Sequence, residues 1–457
     1  LKIKLKFLIN ILFKISSLII VSFLVGWITV YHGLTLPLFI LSGLFLLVIV
    51  IKNPFTILMV IVFLIPLDAF ITFNGASFNR FATPILLFGL LVQYIIKHKP
   101  LRLQRPVIGM IVWVVWAALS YLWAPTLHRV YENLFGYISV LVLFVATTEL
   151  ITSTKRIAWI IGSLLAGQLI YVIVWFITGN SDILGGFLPN VGTGDWSTHG
   201  LYIGIVISCL FAVIIYNRNY IRFAAMMALI PAGYLFFITA LRRNILAIPI
   251  VILVLIVFPK KISLKSISVL MLLFISVYFA WDLIIPTLSP FLQNRFTIED
   301  IVVSGGSGRL DIFRSAWQLW IDHPIIGGGL GSFYYYSGLD IYNATVPHNA
   351  YLEVLAETGL VGFIFWGGSF ISIAWSALKT FSQIRGYPKQ FYAAMSVALI
   401  TFLSVVGMVQ GFQNLRYFWF SLGFGIAVST VLSNKNFPKI EISNRTTTLE
   451  TGILSDE

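Results

Sequence analysis

The sequence predicts an all-α, polytopic integral membrane protein with 12–14 transmembrane helices and one long external loop containing short helices. Three observations carry that expectation. The chain of 457 residues is 59% hydrophobic and only 10% charged. Apolar runs of about 17–22 residues recur along it, roughly the length that crosses a bilayer as helix. Its basic residues are sorted between alternate connections, as the positive-inside rule requires of a multi-span protein.

Taken in order, the apolar runs give fourteen spans. They are expected at 15–31, 34–51, 55–71, 84–96, 106–123, 134–151, 157–178, 200–216, 223–241, 244–258, 266–285, 359–378, 390–410 and 417–433. The second and fourth are short enough to be half-buried, which makes twelve the alternative. The basic start resembles a signal peptide, but no small-residue cleavage pattern follows, so an uncleaved first span is expected. The chain divides into spans over 1–285 with an external loop at 179–199, a long external loop over 286–358, spans over 359–433, and a polar tail over 434–457. The tail is rich in Thr and Ser and is expected to be disordered.

Orientation follows from charge. One side holds 22 of the 30 Lys and Arg residues, among them Lys2, Lys4, Lys6, Lys97, Lys99, Lys155, Lys260 and Lys261. Both termini fall on that side, which is the cytoplasmic one. The other side holds Arg80, Arg129, Arg242, Arg243, Arg295, Arg309, Arg314 and Arg416, and no lysine. A topology signal alone does not sort Arg from Lys. Guanidinium forks suit a planar, doubly anionic group such as phosphate or diphosphate. The formal net charge of +13 is mostly the inward surplus, spread over short loops. That distribution disfavours nucleic acid and favours membrane lipid head groups as partners. Cys209 is the sole cysteine, so an internal disulfide is excluded.

Two external stretches break the membrane pattern. Residues 179–199 are a run of turn formers. Residues 286–349 form the only stretch of more than 50 residues without a span, and a function outside the membrane belongs there. Within it, Gly305-Gly306-Ser307-Gly308 leads into Arg309 and a helical segment in which Phe313, Trp317 and Trp320 recur opposite Asp311 and Arg314. This helix is expected to lie along the membrane surface with its aromatics at head-group depth. Arg309 opens it, where backbone N–H groups and the dipole already favour an anion; contact with a lipid phosphate is the alternative reading.

Pro324 ends that helix, and Gly327, Gly328, Gly329 and Gly331 follow with Tyr334-Tyr335-Tyr336. The glycines permit close approach of a bulky ligand. Tyr335 and its neighbours suit either stacking on sugars or the membrane interface. Pro347-His348-Asn349 begins the return to the membrane, with Asn349, Glu353 and Glu357 on one stripe of a short helix. His348 sits at the helix start, where the neutral, proton-accepting imidazole is favoured; a cap or a bond to a carbonyl is the bland alternative. Arg242-Arg243 closes span 223–241, where the helix C-terminus tolerates cations but the positive-inside rule does not.

Together these segments resemble the bacterial O-antigen ligase family and its relatives, the O-antigen and capsule polymerases. The family pattern is a histidine followed by Asn, Ser or Gln, then nine residues, then Gly-x-x-Gly. Here His348-Asn349, Ala350 to Thr358 and Gly359-Leu360-Val361-Gly362 match it in full. Also matching are Arg309 opening a helix that contains Trp317, and Pro324, Gly327, Gly329 and Gly331 as Pro-x-x-Gly-x-Gly-x-Gly. Thr239-Ala240-Leu241-Arg242 looks like the family's Thr-x-Ser-Arg, with Leu241 departing at the serine; this leaves Arg242 and Arg243 open as alternatives.

The resemblance implies a glycosyltransferase in the bacterial inner membrane, active on the periplasmic face. It would move O-antigen glycan from an undecaprenyl diphosphate-linked donor to a hydroxyl of the lipid A–core, inverting the anomeric centre, with no cofactor and no metal. The absence of an external Asp-x-Asp pair agrees with the last point. His348 would be the base, and Arg309 with Arg242 or Arg243 would hold the diphosphate; Asn349, Glu353 and Tyr335 rank second, for orienting the histidine or the sugar. The same donor and residues suit a polymerase extending a growing glycan acceptor. A non-enzymatic transporter of lipid-linked sugars is a third reading.

Overall fold

A computed structural model describes residues 52–68, 72–73, 76–95, 98, 101, 103–178, 196–217, 219–239, 242–259, 309–337, 346–411 and 414–433. Its helices are α1 (Pro54–Leu64), α2 (Phe78–Ile95), α3 (Arg105–Leu119), α4 (Leu127–Leu150), α5 (Thr154–Thr178), α6 (Trp196–Tyr216), α7 (Asn219–Thr239) and α8 (Arg242–Val257). After these come α9 (Arg309–Asp322), the single-turn α10 (Phe333–Tyr336), α11 (Ala350–Gln383), α12 (Lys389–Val406) and α13 (Arg416–Ser433). A 3-10 turn, Ser120–Leu122, extends α3, and a two-residue antiparallel ladder pairs β1 (Thr72–Phe73) with β2 (Ala76–Ser77).

The fold is all-α and polytopic. Among the described residues, six helices are long and apolar enough to cross a membrane, and four shorter apolar helices accompany them. Eleven of the fourteen expected spans coincide with helices; those at 15–31, 34–51 and 266–285 lie outside the described residues, as do loop residues 179–195 and the tail from 434. Local sequence explains several boundaries. Pro54 and Pro106 sit in the first turns of α1 and α3, where a missing N–H costs nothing. Pro84, Pro231 and Pro249 lie inside α2, α7 and α8, which membrane helices tolerate when neighbours satisfy the freed carbonyls.

Helices α12 and α13 form the centre. Residues Phe391 to Ile400 and Tyr417 to Ser429 are almost continuously buried, as helices apolar on every face must be. Around them Trp113, Tyr137, Trp366, Phe370, Phe418 and Trp419 stack at ring separations of 5.1–6.1 Å. Small residues let the helices approach: a Cβ at Gly204 would strike Phe402, and one at Gly167 would strike the Phe63 carbonyl. The perimeter exposes Phe88, Leu91, Ile173, Ile364, Ile371 and Trp375, apolar side chains suited to lipid.

The bundle has two chemically distinct ends. At one, Gln104 bonds Thr430, Arg156 bonds the Leu150 carbonyl, and Arg385 bonds the Pro259 carbonyl. At the other, Trp123 bonds Gly327, Asn414 bonds Asn133, and Arg243 bonds Gln410. The first group comes from connections expected inside and the second from connections expected outside; none of these bonds mixes the two.

Candidate active site

The site is built around a broken helix. α11 is 34 residues long, roughly 51 Å at helical rise, against a hydrocarbon core of about 30 Å. Its first nine residues therefore project beyond the span, and Gly359, at φ 65°, kinks the helix where the two parts meet. The kink removes two helical hydrogen bonds, from Leu360 to Ala356 and from Val361 to Glu357. The segment after α9 replaces them from both sides. Leu360 donates to the Pro324 carbonyl at 2.9 Å and Val361 to the Ile325 carbonyl at 3.2 Å. Gly328 donates to the Ala356 carbonyl at 2.9 Å and Gly329 to the Glu357 carbonyl at 3.0 Å. The two glycine motifs, separate in sequence, are one interlocking structure.

Three further bonds join the lock to α3 and the turn that extends it. Trp116 donates its indole N–H to the Thr358 carbonyl at 2.9 Å, and Trp123 donates to the Gly327 carbonyl at 3.1 Å. Leu330 donates to Ser120 Oγ at 3.0 Å. A turn with φ of 76°, 99° and 73° at Gly327, Gly329 and Gly331 is open to glycine and strained for other residues. Nothing local in the sequence marks Trp116, Trp123 and Ser120 as partners of the glycine motifs. Their signal was present as tryptophans clustered at one end of a span, but their partners lie about 200 residues away.

Beyond the lock, α9 packs on the projecting turns of α11. Ile312, Ala316 and Leu319 of α9 form a small core with Phe333, Leu352 and Ala356. The stripe of α9 that meets α11 lies one residue before the aromatic stripe of Phe313, Trp317 and Trp320. Leu310, Trp317 and Ile321 are exposed on another face, and Asp311 pairs with Arg314 at 3.1 Å in solvent. Since the lock ties the end of α9 to the kink of α11, the N-terminal ends of both helices face away from it together. Arg309 is the first residue of α9 and is half-buried. His348 stands just before α11, also half-buried.

His348 adopts φ 49°, a left-handed conformation uncommon outside glycine, of the kind that clusters at functional sites. Its neighbour Asn349 is the N-cap of α11, its Oδ1 accepting from the N–H groups of Tyr351 and Leu352 at 3.0 Å each. Capping explains why a histidine here is followed by a short polar residue. The first turn is fixed further by the Ala350 N–H, which donates to the Gly407 carbonyl at 2.8 Å, and by the Tyr351 hydroxyl, which donates to the Ser404 carbonyl at 2.8 Å.

Arg243 joins this turn from the other side. It is buried, and its Nη1 donates to Gln410 Oε1 at 2.7 Å. The structure changes the reading of the arginine pair. α7 ends at Thr239 and α8 begins at Arg242, so the arginines open a helix instead of closing one. At an N-terminus the dipole opposes a cation and favours an anion. The side chain of Arg242 lies outside the described residues. Two more of the arginines expected outside have protein partners: Arg416 pairs with Asp68, both nearly buried, and Arg129 stacks on Tyr334 at 4.6 Å. Arg80 and Arg295 are not among the described side chains.

The second-rank residues separate. Tyr335 is 60% exposed beside Tyr336, edge to face at 5.2 Å, free to meet a ligand. Glu353 is buried, and its Oε2 has no hydrogen-bond partner among the described residues. Glu357, one turn on, is also buried, and its backbone carbonyl accepts the Gly329 N–H at 3.0 Å. A cavity of about 370 Å³ lined by Asn53, Gln93, Tyr94 and Arg156 lies at the opposite end and contains none of these residues.

The architecture is that of an integral membrane protein whose helices carry, at one end, a motif-bearing loop locked to a kinked span. Residues 227–367 match the family model described as O-antigen ligase. The matched stretch includes Arg242, Arg309, the glycine lock and His348. It supports activity of the O-antigen ligase and polymerase kind in general. A sequence search of curated proteins finds no match.

Proposed function

We propose that the protein is a metal-independent, inverting glycosyltransferase of the bacterial inner membrane. It would move O-antigen glycan from undecaprenyl diphosphate to a hydroxyl of the lipid A–core on the periplasmic face. The observation that carries this reading is the lock, which holds α9 and α11 so that Arg309 and His348 open their helices at the same end. Arg242 opens a third helix, tethered to the start of α11 through Arg243, Gln410 and the turn at Gly407.

The chemistry follows from those placements. A ring nitrogen of His348 takes the proton of the acceptor hydroxyl as its oxygen attacks the anomeric carbon. The bond from that carbon to the diphosphate breaks, and undecaprenyl diphosphate departs with the electron pair. Negative charge on the leaving group is met by Arg309, Arg242 and the N-termini they occupy. Because Arg243 already engages Gln410, it suits holding the turn, and Arg242 suits the diphosphate. Tyr335 offers an exposed ring for the glycan. Between α8, α11 and α12 an apolar groove of about 220 Å³, lined by Val254, Ala377, Val397 and Ile400 and reaching Ser404, suits part of the polyprenyl tail.

The experiment is transfer in vitro with purified protein, a lipid-diphosphate glycan and lipid A–core. His348→Ala is expected to abolish transfer while donor binding and thermal stability persist; retained turnover would remove the base. EDTA is expected to leave the rate unchanged. Repeat-unit polymerisation uses the same donor, and a null strain separates the two. Lipid-linked polymer of normal length accumulating beside bare core supports the ligase, whereas core bearing one repeat supports the polymerase.

A further inference from the structure

The cavity of about 370 Å³ at the far end of the bundle takes no part in the transfer chemistry. It lies where four described helices end or begin together. Asn53 precedes α1, Gln93 and Tyr94 are in the last turn of α2, Glu149 is in the last turn of α4, and Arg156 is in the first turn of α5. The connections at this end are those expected inside, so the cavity is at the depth of the inner-leaflet head groups. Its volume falls in the range of small-molecule sites, about 300–1,000 Å³.

Arg156 is fixed in the lining. Its Nη1 donates to the Leu150 carbonyl at 2.7 Å and to Thr152 Oγ1 at 3.3 Å, and the guanidinium lies over the Phe55 ring at 4.9 Å. Among the described residues these bonds use one nitrogen and go to neutral groups, which leaves the charge and the N–H groups of Nε and Nη2 for a ligand. Asn53 is the N-cap of α1, yet its side chain makes no cap bond; an amide of the kind that normally serves a helix end lines the cavity instead. Arg156 and Glu149 are the charged residues of the lining, and Phe55, Leu90 and Leu150 add an apolar wall.

That mixture selects a class of ligand. Guanidinium and amide donors suit a phosphate. A strongly anionic head group needs a basic pocket, and Glu149 opposes it. A quaternary ammonium is recognised by aromatic rings, but Arg156 already covers Phe55, and Tyr94 is the other ring of the lining. A primary ammonium instead donates hydrogen bonds, which the Glu149 carboxylate and the Gln93 carbonyl oxygen can accept.

We propose that this cavity binds an inner-leaflet phospholipid whose phosphodiester head group carries a primary amine. The phosphate meets Arg156 and Asn53, the ammonium meets Glu149 and Gln93, and the glycerol end rests on Phe55, Leu90 and Leu150. So placed, the lipid joins the start of α1 and the end of α2 to the junction of α4 and α5. Its binding energy adds to the stability of that end of the bundle.

The test uses the full-length protein, purified in detergent and stripped of lipid, with dioleoyl phosphatidylethanolamine, phosphatidylcholine and phosphatidylglycerol as probes. Native mass spectrometry reads occupancy, and thermal unfolding reads stabilisation. The ethanolamine lipid is expected to bind about tenfold more tightly than the other two and to raise the thermal midpoint most. Arg156→Gln should weaken it about tenfold, and Glu149→Gln should erase its advantage over phosphatidylglycerol. Because Arg156 also holds the end of α4, Asn53→Ala supplies a variant that breaks no described hydrogen bond. It should weaken the ethanolamine lipid several-fold with the lipid-free midpoint unchanged. Equal retention of all three lipids, or an ethanolamine-lipid affinity unaltered in Asn53→Ala and Arg156→Gln, overturns the proposal. Soluble glycerophosphoethanolamine binding as tightly as the lipid would assign the cavity to a free phosphodiester and overturn its assignment to the membrane. None of these measurements uses the glycan donor, so failure of the transfer reading leaves them untouched.

Discussion

Gly359 and Asn349 show how much of the site rests on single residues. Gly359 needs a positive φ, and a Cβ there would also strike the Ile325 carbonyl and the Gly327 amide. Gly359→Ala is expected to cost at least about 1–3 kcal/mol, from strain and overpacking together, and to remove activity; thermal unfolding in detergent measures the first. At Asn349 capping and substrate contact make different forecasts. If the cap is its role, Asn349→Ser keeps activity while Asn349→Ala loses about 1 kcal/mol of stability. Equal loss of turnover in both variants would favour a direct role at the sugar.

At the scale of elements, three helices, α8, α9 and α11, begin beside the residues assigned to the chemistry. Arginine opening a helix is unfavourable by itself, and Arg242 and Arg309 both do so. A diphosphate reverses that sign. Arg309→Lys separates a bidentate contact from a point charge: transfer rates nearly as low as those of Arg309→Ala are expected, and full activity with Lys would leave only the charge. Arg242→Ala should raise KM for the donor or abolish transfer, whereas Arg243→Ala should first weaken the turn at Gln410, seen as a lower thermal midpoint.

For the whole molecule, the ends of the bundle matter most. Arg416 opens α13 and is neutralised by Asp68 of the segment after α1, tying the first and last described helices at the site's end. Removing either partner strands a nearly buried charge, at a cost of about 3 kcal/mol. The double variant Asp68→Ala, Arg416→Ala should recover part of it in a double-mutant cycle. Sidedness is testable in cells with Cys209→Ser as background. A cysteine at Ser337 should react with an impermeant thiol reagent from outside, and one at Lys155 only after permeabilisation; the reverse pattern would invert the topology.

Helices and their order were legible in the sequence because span length and apolarity are local properties. So were the charge asymmetry and the histidine, arginine and glycine motifs, including the stripe of Asn349, Glu353 and Glu357. What was not legible depends on distant contacts. That Ile312, Ala316 and Leu319 are the residues of α9 in the small core with α11 depends on the fold. The arginine pair lies at the start of α8 as described, not at the end of α7. Trp123 acts on Gly327 across 204 positions, and Arg243 on Gln410 across 167.

By itself, then, the sequence determined an all-α membrane protein with arginines and a histidine gathered in a few of its connections. Only the tertiary structure decided that the two glycine motifs are a single lock, with the carbonyls of Ala356 and Glu357 inside it. The physical reason is that a broken helix frees backbone groups which must be satisfied, and nothing in the local sequence says which distant strand of chain will satisfy them.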